Sequence, residues 1–130
     1  MLNYDSTTKD LLDLNQRLLE SIATADWGTY AELCDPSLTA FEPESMGALV
    51  EGMAFHHFYF DLGGAKGYHN STMCAPHVRL MGDVAVVSYV RLNQRVGADR
   101  SPITVRFQET RIWQRQDGRW RHVHFHRSSA

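Results

Sequence analysis

No run of apolar residues in this chain of 130 approaches the length that a bilayer-spanning helix needs. There is no block of like charge either. Thirteen Lys and Arg against 15 Asp and Glu leave a net charge of −2, which argues against nucleic acid or an anionic membrane surface as partner. Cysteine is scarce: Cys34 and Cys74 cannot make a disulfide framework. The opening MLNYDSTTKD is polar and acidic and has no apolar core of the signal-peptide kind. Free thiols without an export signal predict a reducing, cytoplasmic setting. Asn70-Ser71-Thr72 has the form of a glycosylation acceptor that stays idle there. No nucleophile motif, phosphate loop or cysteine–histidine arrangement stands out.

What is present reads as one globular domain over residues 1–130. Hydrophobic residues make up 43% and charged residues 22%, the balance of a chain that folds around a real core. Leu11, Leu14, Leu18 and Ile22, widened by Leu12 and Leu19, predict a helix over roughly 7–24, capped by Thr7. Asp26 predicts the cap of a short second helix with Trp27, Tyr30, Leu33 and Cys34 inward, ended by Asp35-Pro36. One or two short strands are expected within 38–51. Met53 to Leu62 predicts a third helix, aromatic nearly all round and so buried on more than one side. Gly63-Gly64 reads as a flexible connection. From residue 70 the pattern is antiparallel sheet, with strands near 71–81, 84–96, 103–116 and 119–128. Helices first and a long sheet after them predict an α+β fold, the sheet wrapped around the first helix and leaving a conical cavity.

Three arginines sit on the apolar faces of these strands. Side chains alternate along a strand, so Arg91 shares a face with Val87 and Tyr89, Arg111 with Phe107 and Trp113, and Arg127 with Val123 and Phe125. An unpaired buried charge is very costly. Three on neighbouring strands therefore predict a charged pocket that holds an anion. The plainer alternative is three separate arginines, each paired with a carboxylate or reaching out at a strand end. A three-residue loop at Gln116-Asp117-Gly118 keeps the apolar faces together, with Val123 opposite Arg111 and Arg127 opposite Phe107. A two-residue turn would set Arg111 against His124 and mix the faces.

Other candidates are weaker. His122, His124 and His126 alternate on one strand face, but ligands at that spacing spread over roughly 13 Å, so a polar outer face is expected rather than a metal site. Glu109 shares a face with Arg111 and either neutralises it or serves as a general base. One of His56 and His57 faces the core side of the third helix. Phe41-Glu42-Pro43-Glu44 offers two carboxylates on what reads as a solvated turn.

The stretches CDPSLTAFEPE (34–44), LVEG (49–52), FHHFYF (55–60), PHVRLMGD (76–83), ETRIWQRQDGRW (109–120) and VHFHRS (123–128) closely resemble the association, or hub, domain of calcium/calmodulin-dependent protein kinase type II. The resemblance runs from about residue 8 to residue 129. It implies a nuclear-transport-factor-2-like cone, assembly into a closed double ring of about twelve or more copies, and a role in holding kinase domains together. It also implies that Arg91, Arg111, Arg127 and His56 line a pocket. The segment Asp61 to Asn70 is shorter than in the family and lacks a tryptophan found there. No kinase signature is present in the chain.

The expected function is thus a non-enzymatic homo-oligomerisation hub, without cofactor or metal, whose pocket of Arg91, Arg111, Arg127, His56 and Glu109 takes a small carboxylate or a phosphotyrosine-type anion. The alternative from another class is a small cone-fold enzyme, an isomerase, dehydratase or cyclase acting on an acidic substrate, with Glu109, Tyr59 or His56 as base.

Overall fold

The computed structural model describes residues 5–130. The first four residues of the N-terminal segment that argued against a signal peptide lie outside the described residues. Helix α1 spans Ser6–Ala23, α2 Trp27–Leu33 and α3 Ala54–Asp61. Strands are β1 Cys34–Phe41, β2 Val50–Glu51, β3 His69–Met81, β4 Val84–Val96, β5 Pro102–Gln116 and β6 Arg119–Ser129. They form one six-stranded sheet in the order β2-β1-β6-β5-β4-β3. The architecture is α+β, as the pattern predicted.

The α1 cap is Asp5, whose side chain accepts from the Thr8 backbone N–H at 2.7 Å, in place of the expected Thr7. Asp26 caps α2 as expected, taking bonds from Thr29 N and Oγ1. Leu11, Leu18 and Leu19 of α1 are fully buried against Leu38, Ala85, Val87 and Trp113 of the sheet. Each such leucine contributes roughly 2 kcal/mol by leaving water. Asn15 lies in the same stripe, between Leu11 and Leu19 at four-residue spacing. Its amide is tied at both ends, donating to Tyr89 Oη at 3.0 Å and accepting from Trp113 Nε1 at 3.0 Å. The polar pair locks the helix in one position over β4 and β5.

Three expectations are corrected. Cys34 begins β1 and is not helical, because the chain turns into extended backbone at once after Leu33. α3 is not enclosed: His56 is its only buried residue, while Phe58 is 60% and Leu62 71% exposed. The register of β5 and β6 also differs. The turn holds two residues, Asp117 and Gly118, both at positive φ, and pairs Gln116 with Arg119. A β-bulge then admits Val123 as an extra residue, so that Trp113 faces His122 but Ile112 faces His124. Beyond the bulge Arg111 faces Phe125 and Glu109 faces Arg127. The extra residue that was expected in the turn sits further along the strand. Either place restores Phe125 and Arg127 to the inner face, but the pairing shifts by two residues.

Candidate functional site

β4 and β5 pair without interruption, which sets Val87 opposite Arg111, Tyr89 opposite Glu109 and Arg91 opposite Phe107. With β6 added, Glu109 stands in a row between Tyr89 and Arg127. The inner sheet face therefore carries a charged cluster at its centre. Glu109 is 2% exposed. Its Oε1 accepts from Tyr89 Oη at 2.6 Å and from Arg111 Nε at 3.1 Å, and Arg91 Nε lies 2.9 Å from Oε2. That last approach is off the N–H axis, so it is a contact between charges, and neither atom has another hydrogen-bond partner. Burial alone would push the Glu109 carboxyl up; Arg111 and Arg91 together hold it below its ordinary value. Burial also disfavours the Arg111 charge, yet Glu109 and the two tyrosines beside it more than restore it.

Aromatic rings take up the remaining faces of the cations. The Arg111 guanidinium carbon sits 4.4 Å from the centre of the Phe125 ring. Phe107 lies between Arg91 at 5.5 Å and Arg127 at 4.7 Å. Arg127 turns away from the sheet to the loop after β1. There Glu42 Oε2 is 3.4 Å from its Nη2, and Glu44 makes a closer contact with the same nitrogen. The two acids are delivered by a short 3₁₀ turn, Pro43–Ser45, closed at Met46 with φ 55. The loop is therefore not simply solvated, as the sequence suggested: Glu42 is buried, with its side chain only 8% exposed. Residue type alone could not reveal this, because Glu-Pro-Glu is ordinary turn chemistry, and only the packing of β1 beside β6 brings it to Arg127.

Arg91, Arg111, Arg127 and His56 all line a single cavity of about 410 Å³, together with Tyr30, Tyr59, Phe107, Phe125, Glu42 and Glu44. Glu109 is not part of its wall. It lies beneath the arginines, in contact with Arg91 and Arg111, which leaves it poorly placed to meet a ligand or to act as a general base. The connection after α3 closes one side. Gly64 also lines the cavity and packs so tightly that a Cβ there would sit 2.6 Å from the Ala23 carbonyl oxygen. It is a close approach and not merely a flexible link.

His56 and His57 divide as expected. His57 stacks on Trp27 at 4.2 Å on the exposed side of α3. His56 points inward, its Nδ1 3.5 Å from Glu42 Oε1 and its Nε2 without a partner. Burial, then Arg111 and Arg127, push its pKa down to about 4, so the ring is neutral at pH 7 and the contact with Glu42 is not an ion pair.

The histidine strand is split by the bulge. His122 is fully buried on the inner face, whereas His124 bonds Thr39 Oγ1 at 2.7 Å and His126 is exposed. The three therefore do not share one face. His122 Nε2 faces Arg111 Nη1 at 3.4 Å, and its Nδ1 faces Cys34 Sγ at 3.5 Å. Arginine can only donate, so the neutral ring carries its proton on Nδ1. Burial pushes the Cys34 thiol up to about 12, which leaves it a protonated packing group. Among the described residues no set of three or more His, Cys, Asp or Glu is placed to hold a metal.

Acid should unfold this site in a defined window. His56 binds a proton less readily when folded (about 4) than when unfolded (about 6.5), so the unfolded chain holds more protons between those values. Stability is then full above pH 6.5 and falls as pH drops toward 4, by roughly 3 kcal/mol from this group. His122, held well below its ordinary value by burial and Arg111, adds to the loss. Glu109, shifted downward, contributes only at still lower pH. Denaturation midpoints from pH 8 to pH 4 test the window. A flat profile between pH 6.5 and 4.5 would contradict the neutral, buried assignment.

A sheet curving around one long helix, with a polar cavity on its inner face, defines the nuclear-transport-factor-2-like cone. Within that class the match is specific. Residues 7–130 fit the calcium/calmodulin dependent protein kinase II association domain, and the chain belongs to that family. It is 43% identical over 125 residues to calcium/calmodulin-dependent protein kinase type II subunit delta of Oryctolagus cuniculus, covering 94% of this chain and 24% of that one. The chain thus spans about a quarter of that relative's length. Among solved structures, the association domain of the C. elegans kinase is 43% identical with a TM-score of 0.90, over 95% of this chain and 96% of that one. The hub homology domain of a Chlamydomonas reinhardtii protein is 47% identical with a TM-score of 0.90, over 96% and 99%.

Proposed function

We propose that this chain is a single, non-catalytic association domain that assembles with copies of itself into a closed double ring of about twelve or more subunits, and that its arginine-lined cavity takes an anion. The observation that carries the assembly is the fit of residues 7–130 to the association-domain family. The outer surface supports it: Phe41, Leu49, Phe58, Leu62, Leu80 and Met81 are all exposed, more large apolar side chains than a solitary cone has reason to display. A kinase domain, or another chain carrying the same kind of hub, is the natural partner; neither nucleic acid nor a membrane surface is expected. The cytoplasm is the setting that suits two unpaired thiols. No helix among the described residues is long and apolar enough to cross a membrane.

The convergence of Arg91, Arg111 and Arg127 on one cavity supports the anion reading, with a small carboxylate or a phosphotyrosine-type group as ligand. The cone-fold enzyme reading has less support, because Glu109 is locked beneath the arginines. Light scattering or native mass spectrometry at micromolar concentration is expected to give a mass of about twelve chains or more. A monomer or a simple dimer would refute the hub.

A further inference from the structure

Around the cavity the three inward arginines are already paired, while a fourth on its wall, Arg95, is exposed. Three guanidinium groups, those of Arg91, Arg111 and Arg127, meet three carboxylates, those of Glu109, Glu42 and Glu44. These arginines are therefore not unpaired, and unpaired buried charge was the reason first given for expecting an anion. An anion that is to meet Arg127 must compete with the carboxylates already on it.

The three acids differ in their freedom to do so. Glu109 is sealed under the sheet cluster, and Glu42 is buried between Arg127 and His56. Glu44 alone sits at the rim, its side chain 36% exposed against 13% for Arg127. It rides on a single 3₁₀ turn, and the residue that closes this turn, Met46, is 91% exposed, with Gly47 beyond it at φ 88. Among the described residues Glu44 and Met46 are both exposed there, so a change of Glu44 rotamer needs no repacking of the core.

We propose that Glu44 is an internal stand-in for the ligand: an incoming carboxylate takes its place on Arg127, and Glu44 turns out to solvent. This rests on the anion-pocket reading above and adds what regulates that pocket. A ligand bearing one negative charge replaces the displaced carboxylate charge for charge. The ligand's apolar part would lie against Tyr30, Phe107 and Phe125, which share the cavity wall.

Benzoate is a suitable probe, one carboxylate on a flat apolar ring. Calorimetric titration of the assembled protein is expected to show roughly tenfold tighter binding to Glu44→Ala than to the unaltered chain, the size of a charge-assisted contact removed from competition. Glu32→Ala removes the same charge from α2 outside the cavity and should leave the affinity unchanged. Inorganic phosphate, which brings no apolar ring to Tyr30, Phe107 and Phe125, should bind the unaltered chain more weakly than benzoate. Equal benzoate affinity in Glu44→Ala and the unaltered chain overturns the exchange while leaving the pocket. Tightening of the same size in Glu32→Ala reduces the effect to net charge and overturns it too. Phosphate binding as strong as benzoate overturns the placing of the ligand's apolar part against those rings. Absence of benzoate binding in every variant would bring down the anion pocket itself, and the exchange with it.

Discussion

Glu109→Gln is expected to be among the most damaging conservative substitutions in this chain, costing roughly 3–5 kcal/mol of stability. The change keeps shape and size but removes the charge that faces Arg111 at 3.1 Å and Arg91 at 2.9 Å. Both cations are almost wholly buried, at 1% and 5% exposure, and neither can shed its proton at any pH at which the protein folds. The glutamine amide would also present either a donor or a poorer acceptor to Tyr89 Oη. Arg111→Ala should be destabilising as well. It leaves Glu109 with the Tyr89 hydrogen bond and, among cations, only the misaligned Arg91 contact, and opens a void beneath Phe125. Relief of repulsion, which would have made that variant more stable, is not available where the arginines are already paired. Chemical denaturation at fixed protein concentration tests both, and a loss under 1 kcal/mol for Glu109→Gln would mean that the cluster is far more hydrated than its burial implies.

Gly64→Ala should cost roughly 2–3 kcal/mol, by overpacking against parts that cannot yield. The added methyl would meet the Ala23 carbonyl oxygen and Thr24 carbonyl carbon at 2.6 Å and the Ala25 nitrogen at 2.9 Å, all backbone. The neighbouring Ala65 N–H donates to that same Ala23 oxygen at 2.8 Å, so relaxation breaks a bond that docks the segment onto the end of α1. Gly63→Ala is the control: its Cβ meets nothing within 4 Å, and only its φ of 93 resists the change, at about 1 kcal/mol. Gly64→Ala should also loosen the cavity wall, read as faster amide exchange over residues 62–68. Equal cost for the two alanines would show that the segment is not held closely to α1.

Much of the cavity was legible along the chain because a strand's two faces are a matter of counting. Arg91, Arg111 and Arg127 each fall in step with large apolar neighbours, and that parity survived even where the pairing did not. The aromatic helix marked one of His56 and His57, and the family resemblance singled out His56. The two acids that complete the site from the loop were noted only as carboxylates on a solvated turn. Glu42 and Glu44 lie some eighty residues from Arg127 in sequence, on a turn whose composition is that of any exposed turn. Asn15 was legible in principle, as a polar residue in the stripe of Leu11 and Leu19. The bulge at Val123 left no trace, since an extra residue there or in the turn gives the same alternation. It is the bulge that sends His122 inward to Arg111.

What the sequence determined by itself is what short-range periodicity and composition encode: three helices, four long antiparallel strands, the inner face of each strand, and, through whole-length resemblance, the association-domain family. What only the tertiary structure decided is how charge is shared between segments distant in the chain. Local alternation constrains which way a side chain points, but the partner it meets depends on register, on the parallel placement of β1 beside β6, and on where a loop is carried. Those are set by the packing of the whole sheet on α1. So the sequence could name three inward arginines and one acid beside them, Glu109, while the fold alone could bring Glu42 and Glu44 to Arg127 and so make burying all three tolerable.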